Sequence, residues 1–354
     1  MSREWPEPAS TCRFSWAISM TSVISPFEGD GCKGVVFRGA SLRSALGWVL
    51  ATRWAAGEWR VSAGPGRRLG CASGALPRQV RPGCPCPRRF TAGNYRFARE
   101  DARMNFHSLK PAYDRDGFVL VRQLLAAGEF AELTHHLDRY IRDVVPQVPP
   151  TEAFYDLDAA HPESLRQLHR LNRDAFFEDY RRHPVWTALA EALVGEPVMA
   201  AEPEWFNKPP LSTKGTPPHQ DNFYFCLVPC NVVTLWMALG PVDEENACVR
   251  YVPGSHRLPT RPHARSGVLG FSQGISDYGP ADAQQEVPTR LQPGDVTAHH
   301  GNTIHLAGVN CSATRHRRAF AMVFRGVSCQ RDEAAFARYQ VAVKAQQSAL
   351  GIQA

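Results

Sequence analysis

The sequence predicts an α+β fold, with helices packed on one side of a β-sandwich or barrel. Three observations carry this. The chain has 354 residues, 44% of them hydrophobic, which is ample for a sizeable core. Up to residue 194 the apolar residues recur in steps of three and four. From Val198 onward they form short runs between Pro and Gly turns. Helices followed by strands is the order of a layered α+β domain.

A leader of different character precedes these elements. Residues 1–103 hold 16 of the 40 Lys and Arg but only 7 of the 34 Asp and Glu. The net charge of +6 therefore belongs to the leader and says nothing about partners of the remainder. Cys12, Cys32, Cys71, Cys84 and Cys86 also lie here, among basic turns such as 64–68 and 83–89. No helical or strand period runs through it. The expectation is that 1–103 is translated from a misplaced start and that Met104 is the true start. A disordered or targeting leader is the alternative, with residues 41–50 as its short amphipathic helix. Cys84-Pro85-Cys86 lacks the gap and the nearby histidine of a zinc site. The apolar stretch 15–25 is too short to span a bilayer. Neither a membrane nor a nucleic acid is expected as partner. Cys226, Cys230, Cys248, Cys311 and Cys329 show no metal spacing and read as free thiols of a cytoplasmic protein.

The elements follow in order. From Leu109 a short helical turn ends at Gly117, and a strand runs from Phe118 to Val121. Residues 124–145 place Phe130, Leu133, Leu137, Tyr140, Ile141 and Val144 on one helical face, stopped by Pro146, Pro149 and Pro150. A second helical region covers about 163–194, burying Leu165, Leu168, Leu171, Phe176, Phe177, Trp186, Leu189 and Leu193. Gly195-Glu196-Pro197 closes it. Strands are expected at 198–206, 222–227, 232–239, 248–252, 294–299 and 319–325. The segment 257–293, rich in Pro, Gly, Ser and charge, reads as a loop over a site. The domain is expected to span 104–335, with a helical tail at 336–354.

His219-Gln220-Asp221 carries the chemistry. Pro217 and Pro218 argue against a helix through it. In a strand, positions i and i+2 share a face, so His219 and Asp221 converge while Gln220 points away. Two histidines and a carboxylate are the ligand set of a non-haem iron(II) oxygenase. The second histidine stands downstream, where His299, His300 and His305 compete, and Arg317 follows them. Iron(II) with one carboxylate is near +1, and a bound dicarboxylate takes the site to about −1. One arginine restores balance and offers a two-pronged grip on the distal carboxylate.

Residues 109–325 resemble the phytanoyl-CoA dioxygenase family of iron(II)/2-oxoglutarate-dependent oxygenases. The resemblance rests on Asp116-Gly117-Phe118-Val119, Pro218-His219-Gln220-Asp221, Val252-Pro253-Gly254-Ser255-His256 and the stretch from His305 to Arg318. It implies a double-stranded β-helix (jelly-roll, cupin-like) core. His219, Asp221 and His305 match the metal ligands, because only His305 is followed by Ala307, Gly308 and Asn310. Arg317 matches the residue that binds 2-oxoglutarate. It stands one position further from His305 than the pattern has it, which keeps Arg318 as the alternative. Gln220 and Trp236 match positions lining the co-substrate pocket, and Ala307 replaces a serine found in some relatives. The implied activity uses iron(II), 2-oxoglutarate and O2. It hydroxylates an unactivated C–H bond of a small-molecule substrate, releasing succinate and CO2. The carboxylate of Asp221 favours hydroxylation over halogenation. A non-catalytic binding jelly roll and a cupin-like metal-dependent isomerase are the alternatives. The substrate itself is not legible. Arg261, His263 and Arg265 read first as a solvated loop face, with contact to an anionic group as the alternative, and some of Phe223, Tyr224 and Phe225 are candidates to line the pocket.

Overall fold

The computed structural model describes residues 105–149, 152–157, 160–268 and 271–349. The expectations for the leader and for Met104 lie outside the described residues.

Helix α1 (Lys110–Asp116) carries Pro111 in its first turn, where no N–H is missed, and ends at Gly117 with φ 82°. Strand β1 (Phe118–Val121) follows. Helix α2 (Ala127–Arg139) starts where the Glu129 carboxylate accepts the Ala126 N–H at 3.1 Å. It continues through one wide turn, Tyr140–Val144, and Pro146 then stops it. Leu133, Leu137 and Tyr140 are buried as expected.

The second helical region is not continuous. It opens with strand β3 (Leu165–Leu168), paired with the preceding β2 (Ala153–Tyr155), and α-helix begins only at α3 (Ala175–Tyr180) and α4 (Pro184–Val194). The reason is a bulge. Tyr155 pairs with Leu165 and Phe154 with Gln167, so Arg166 is extra. Leu165 and Leu168 therefore reach the same core, and their spacing of three imitates a helix. Helix α3 is capped by the Asp174 carboxylate, which accepts the Phe176 N–H at 3.1 Å. Helix α4 ends at Gly195, φ 89°.

The β-rich half runs β4 (Val198–Ala200), β5 (Glu204–Lys208), β6 (Thr216–His219), α5 (Asn222–Phe225), β7 (Leu227–Val228), β8 (Val232–Ala238) and β9 (Val249–Tyr251). Then come β10 (His263–Val268), β11 (Phe271–Ile275), α6 (Pro280–Ala283), β12 (Val287–Pro288), β13 (Val296–His300), β14 (His305–Ala307), β15 (Arg317–Gly326), β16 (Gln330–Arg331) and α7 (Glu333–Ala349). Two expectations change here. Residues 222–227 are a helical turn rather than a strand, because the chain reverses at once after Asp221 and Cys226 closes the turn at φ 51°. The segment 257–293 is not a bare loop, since β10 and β11 pair within it as an antiparallel hairpin.

Among the described residues two larger antiparallel sheets result, beside the two-stranded pairs β10-β11 and β7-β16. The larger has the order β1-β13-β8-β15-β5-β3-β2, with β4 also on β15; the smaller is β12-β9-β14-β6. Their ladders remain separate among the described residues. On one face of the large sheet Val233, Leu235, Met237, Phe320 and Met322 pack against Trp186, Leu189 and Leu193 of α4. Each such burial contributes about 1.5–3 kcal/mol. The opposite face, with Trp236, Ala238, Ala319 and Ala321, meets Val249 and Tyr251 of the smaller sheet. Strand β8 is thus covered on both sides and all seven of its residues are buried, as its unbroken apolar run implies.

Of the five cysteines expected free, Cys226, Cys230, Cys248 and Cys329 are; Cys311 is disulfide-bonded. Among the described residues no helix is long and apolar enough to cross a membrane.

Candidate active site

His219 is the last residue of β6 and His305 the first of β14, and the two are paired across the ladder. Their rings lie 4.1 Å apart. Strand β6 ends before Asp221, so the pleat is not what brings that carboxylate to His219. The α5 turn does this instead, placing Asp221 Oδ1 3.6 Å from His219 Nε2 and 3.5 Å from His305 Nε2. The three donor atoms lie within 4.8 Å of one another.

Backbone carbonyls set the imidazoles. His219 Nδ1 donates to Pro217 O at 2.8 Å and His305 Nδ1 to Thr303 O at 3.0 Å, which turns both Nε2 lone pairs toward Asp221. Burial lowers the pKa of both histidines, so they are neutral and ligand-ready near pH 7. Burial pushes the Asp221 carboxyl up, but His305, His299 and His219 outweigh it and hold the acid well below the usual range. Two neutral nitrogens and one carboxylate fit a divalent transition-metal ion.

The competing histidines fall elsewhere. His299 Nε2 stands 3.2 Å from the other oxygen of Asp221, Oδ2, which also accepts the Thr234 hydroxyl at 2.8 Å. His300 Nδ1 accepts the Asn302 N–H at 3.0 Å, and its ring lies beside Tyr113 and His256.

Arg317 and Arg318 are neighbours on β15 and point to opposite faces. Arg318 is half-exposed and meets Asp138 at 3.3 Å. Arg317 is buried in the space between the sheets, its guanidinium carbon 5.2 Å from the centre of the Trp236 ring. Its Nε has no hydrogen-bond partner, and among the described residues no carboxylate pairs with it. Burial, then Arg166, pushes its pKa down to about 10, which still leaves it cationic at neutral pH. A buried cation lacking an anion fits an incoming carboxylate. Beside it, Lys208 is fully buried and donates to Lys214 O at 2.8 Å, and Arg166 pairs with Asp156 at 3.1 Å. Trp236 is at once core and platform, packed in the inter-sheet cluster beneath Arg317.

Gln220 is tied to the backbone on two sides: its side-chain nitrogen donates to Asn302 O and its oxygen accepts from Arg261 N, each at 2.8 Å. Arg261 is not free for an anionic substrate, being paired with Asp277 and Asp282. Of the aromatic run, Phe223 stacks on His263 at 4.0 Å and Tyr224 donates to Gln273 O at 2.6 Å, while Phe225 packs in a separate cluster with Leu227 and Cys329. Only Tyr224 comes near the histidine pair, 6.0 Å from the His219 ring. Arg265 is exposed on β10.

Thr234, Tyr251, Lys208 and Arg166 escaped the sequence reading, and His299 entered it only as a rival metal ligand or a strand end lining the site. Parity offered a signal for two of them. Thr234 is two residues from Trp236 on β8, and His299 is the partner of Thr234 across the ladder.

A family model described as phytanoyl-CoA dioxygenase matches residues 113–319. The peroxisomal phytanoyl-CoA dioxygenase of Bos taurus is 27% identical over 280 residues, covering 74% of this chain and 81% of that one. Its Homo sapiens counterpart is 26% identical over 231 residues, covering 61% and 67%. Among solved structures, the epimerase SnoN in complex with Fe3+, alpha ketoglutarate and nogalamycin RO aligns at TM-score 0.51 and 27% identity, over 63% of this chain and 84% of that one. EctD from S. alaskensis with 2-oxoglutarate and 5-hydroxyectoine shares the fold, at TM-score 0.51 and 17% identity over 62% and 76%.

Proposed function

The chain belongs to the phytanoyl-CoA dioxygenase family, and from that membership we propose a 2-oxoglutarate-dependent dioxygenase that hydroxylates an unactivated C–H bond of a small organic molecule, with release of succinate and CO2. One observation carries the reading. A two-histidine, one-carboxylate cluster faces the same inter-sheet space as a buried arginine that has no carboxylate of its own. In this reading the two sheets are the halves of a double-stranded β-helix. His219, Asp221 and His305 hold iron(II), Arg317 takes the distal carboxylate of 2-oxoglutarate, and Trp236 walls that pocket.

When bound, iron(II) with 2-oxoglutarate and O2 supplies the oxidation. The chain's own residues bind, orient and exclude water. The carbonyls of Pro217 and Thr303 hold both imidazoles in the metal-binding tautomer. Arg317 is pre-set on Trp236, so its planar fork loses little freedom on gripping a carboxylate. Trp236, Ala319, Ala321 and Tyr251 make the inter-sheet space apolar, which strengthens every charge contact inside it.

The likeness to SnoN favours a second reading, in which the same metal and co-substrate invert a carbon centre. Succinate release screened across small-molecule substrates, with product masses, separates the two: hydroxylation adds one oxygen and epimerisation leaves the mass unchanged. If an anaerobic iron(II) and 2-oxoglutarate titration gives no visible charge-transfer band and no substrate yields succinate, both readings fail and a binding protein remains. We place the protein in the cytoplasm, on the four thiols that are free among the described residues, with the disulfide-bonded Cys311 counting against it. The bovine relative's name makes the peroxisome the compartment to test against, by fractionation.

A further inference from the structure

Asp221 is restrained at both oxygens, and by different groups. Oδ1 faces His219 and His305. Oδ2 sits between the Thr234 hydroxyl at 2.8 Å and His299 Nε2 at 3.2 Å. Thr234 and His299 are ladder partners on the central strands of the large sheet, so two rigid neighbours address the same oxygen. The far side of His299 is held as well. Its Nδ1 is 3.0 Å from the Tyr251 hydroxyl, which is 2.9 Å from Thr297 Oγ1. Tyr251 is itself pinned, stacked on Phe118 at 4.5 Å.

An ionised carboxylate only accepts, so Nε2 of His299 carries the proton it donates to Oδ2. On its other side Nδ1 lies 3.0 Å from the Tyr251 hydroxyl, which donates to Thr297 Oγ1 at 2.9 Å. We infer that His299, fixed by Tyr251 and Thr297, is a positioning residue: together with Thr234 it occupies Oδ2 and makes Asp221 a one-oxygen metal ligand. A carboxylate free at both oxygens can close on an ion with both and use one more of its coordination positions. Held as it is here, Asp221 leaves that position for co-substrate or O2. The inference rests on the metal reading of the site proposed above and adds to it two side chains, His299 and Tyr251, whose rings also lie beside His305, at 4.5 and 5.8 Å.

Cobalt(II) titration of the full chain tests this without turnover, because the d–d absorption reports coordination number. His299→Leu is expected to weaken cobalt(II) binding by roughly 10–100-fold, the usual effect of losing an outer-shell partner, and to change the band shape. His299→Gln, which restores a donor at the place of Nε2, is expected to return affinity to within about threefold of wild type and to recover the wild-type band. Tyr251→Phe keeps the ring on Phe118 and removes the hydroxyl beside His299 Nδ1; it should shift affinity the same way by a smaller factor. Tight wild-type binding with His299→Leu unchanged in affinity and band overturns the inference alone. So does a His299→Gln as impaired as His299→Leu, since filling space would then be the role of the imidazole. Wild-type protein that takes up no cobalt(II) overturns the metal reading and this inference with it.

Discussion

The two faces of the large sheet are built from the same strands yet do different work. On β8 the odd positions Val233, Leu235 and Met237 face the helices, and the even positions Thr234 and Trp236 face the metal cluster and Arg317. On β15, Arg318 meets solvent and Asp138 while Arg317 enters the inter-sheet space. A single residue step therefore separates stability from chemistry. The pleat lets one short strand supply both, and a slip of one residue would exchange them.

That contrast can be broken from either side. The largest effect is expected within the cluster: Asp221→Ala removes its only charge and should lower turnover at least roughly a thousandfold, far more than the loss of its Thr234 and His299 contacts costs in stability. On the helix face, Leu235→Ala should cost about 2–5 kcal/mol in urea unfolding, with 2-oxoglutarate affinity of the folded protein unchanged. If Leu235→Ala instead weakened 2-oxoglutarate and spared stability, the division of the faces would be wrong. Arg317→Ala should weaken 2-oxoglutarate by roughly 10–100-fold, the worth of a charge-assisted contact of about 1.5–3 kcal/mol. Arg318→Ala, losing an exposed ion pair worth about 0–1 kcal/mol, should change it by less than about fivefold. The reverse order would move the assignment to the outer face.

A last, smaller effect sharpens the picture in pH. His219 and His305 must be neutral to bind metal, and their folded pKa values lie below the ordinary histidine value. Protons therefore compete only at lower pH than for free imidazole. Metal affinity should hold from pH 7 down through about 6.5 and fall below that. An isothermal titration series showing loss already above pH 7 would contradict the burial of the pair.

The cluster was legible in the sequence because the downstream stretch from His305 to Arg318 gave weight to a common His-x-Asp pair; the strand pleat assumed for that pair is not what joins it, since β6 ends at His219. The helix-side core was legible because apolar periodicity needs no knowledge of partners. What failed shares one cause: contacts across the fold. Nothing local announces that Arg166 is a bulge, so two leucines three apart imitated a helix. Phe223-Tyr224-Phe225 has the composition of a strand, but the chain must turn after Asp221, and the turn won. His299 and Thr234 are unremarkable one by one and gain meaning only as ladder partners aimed at one oxygen. Which of Arg317 and Arg318 is buried is a matter of facing at the start of β15, and nothing local in the sequence marks it.

Gln220 joins the turn before β14 to the entry of the β10–β11 hairpin, and it does so through backbone atoms alone, Asn302 O and Arg261 N. Tyr224 likewise grips the hairpin by a backbone oxygen, Gln273 O. Apart from the Phe223–His263 stack, these attachments place no demand on which side chains the hairpin carries. Such a scaffold can exchange the lettering of one wall and keep its hinge, so new specificity can evolve beside the metal cluster without re-engineering it.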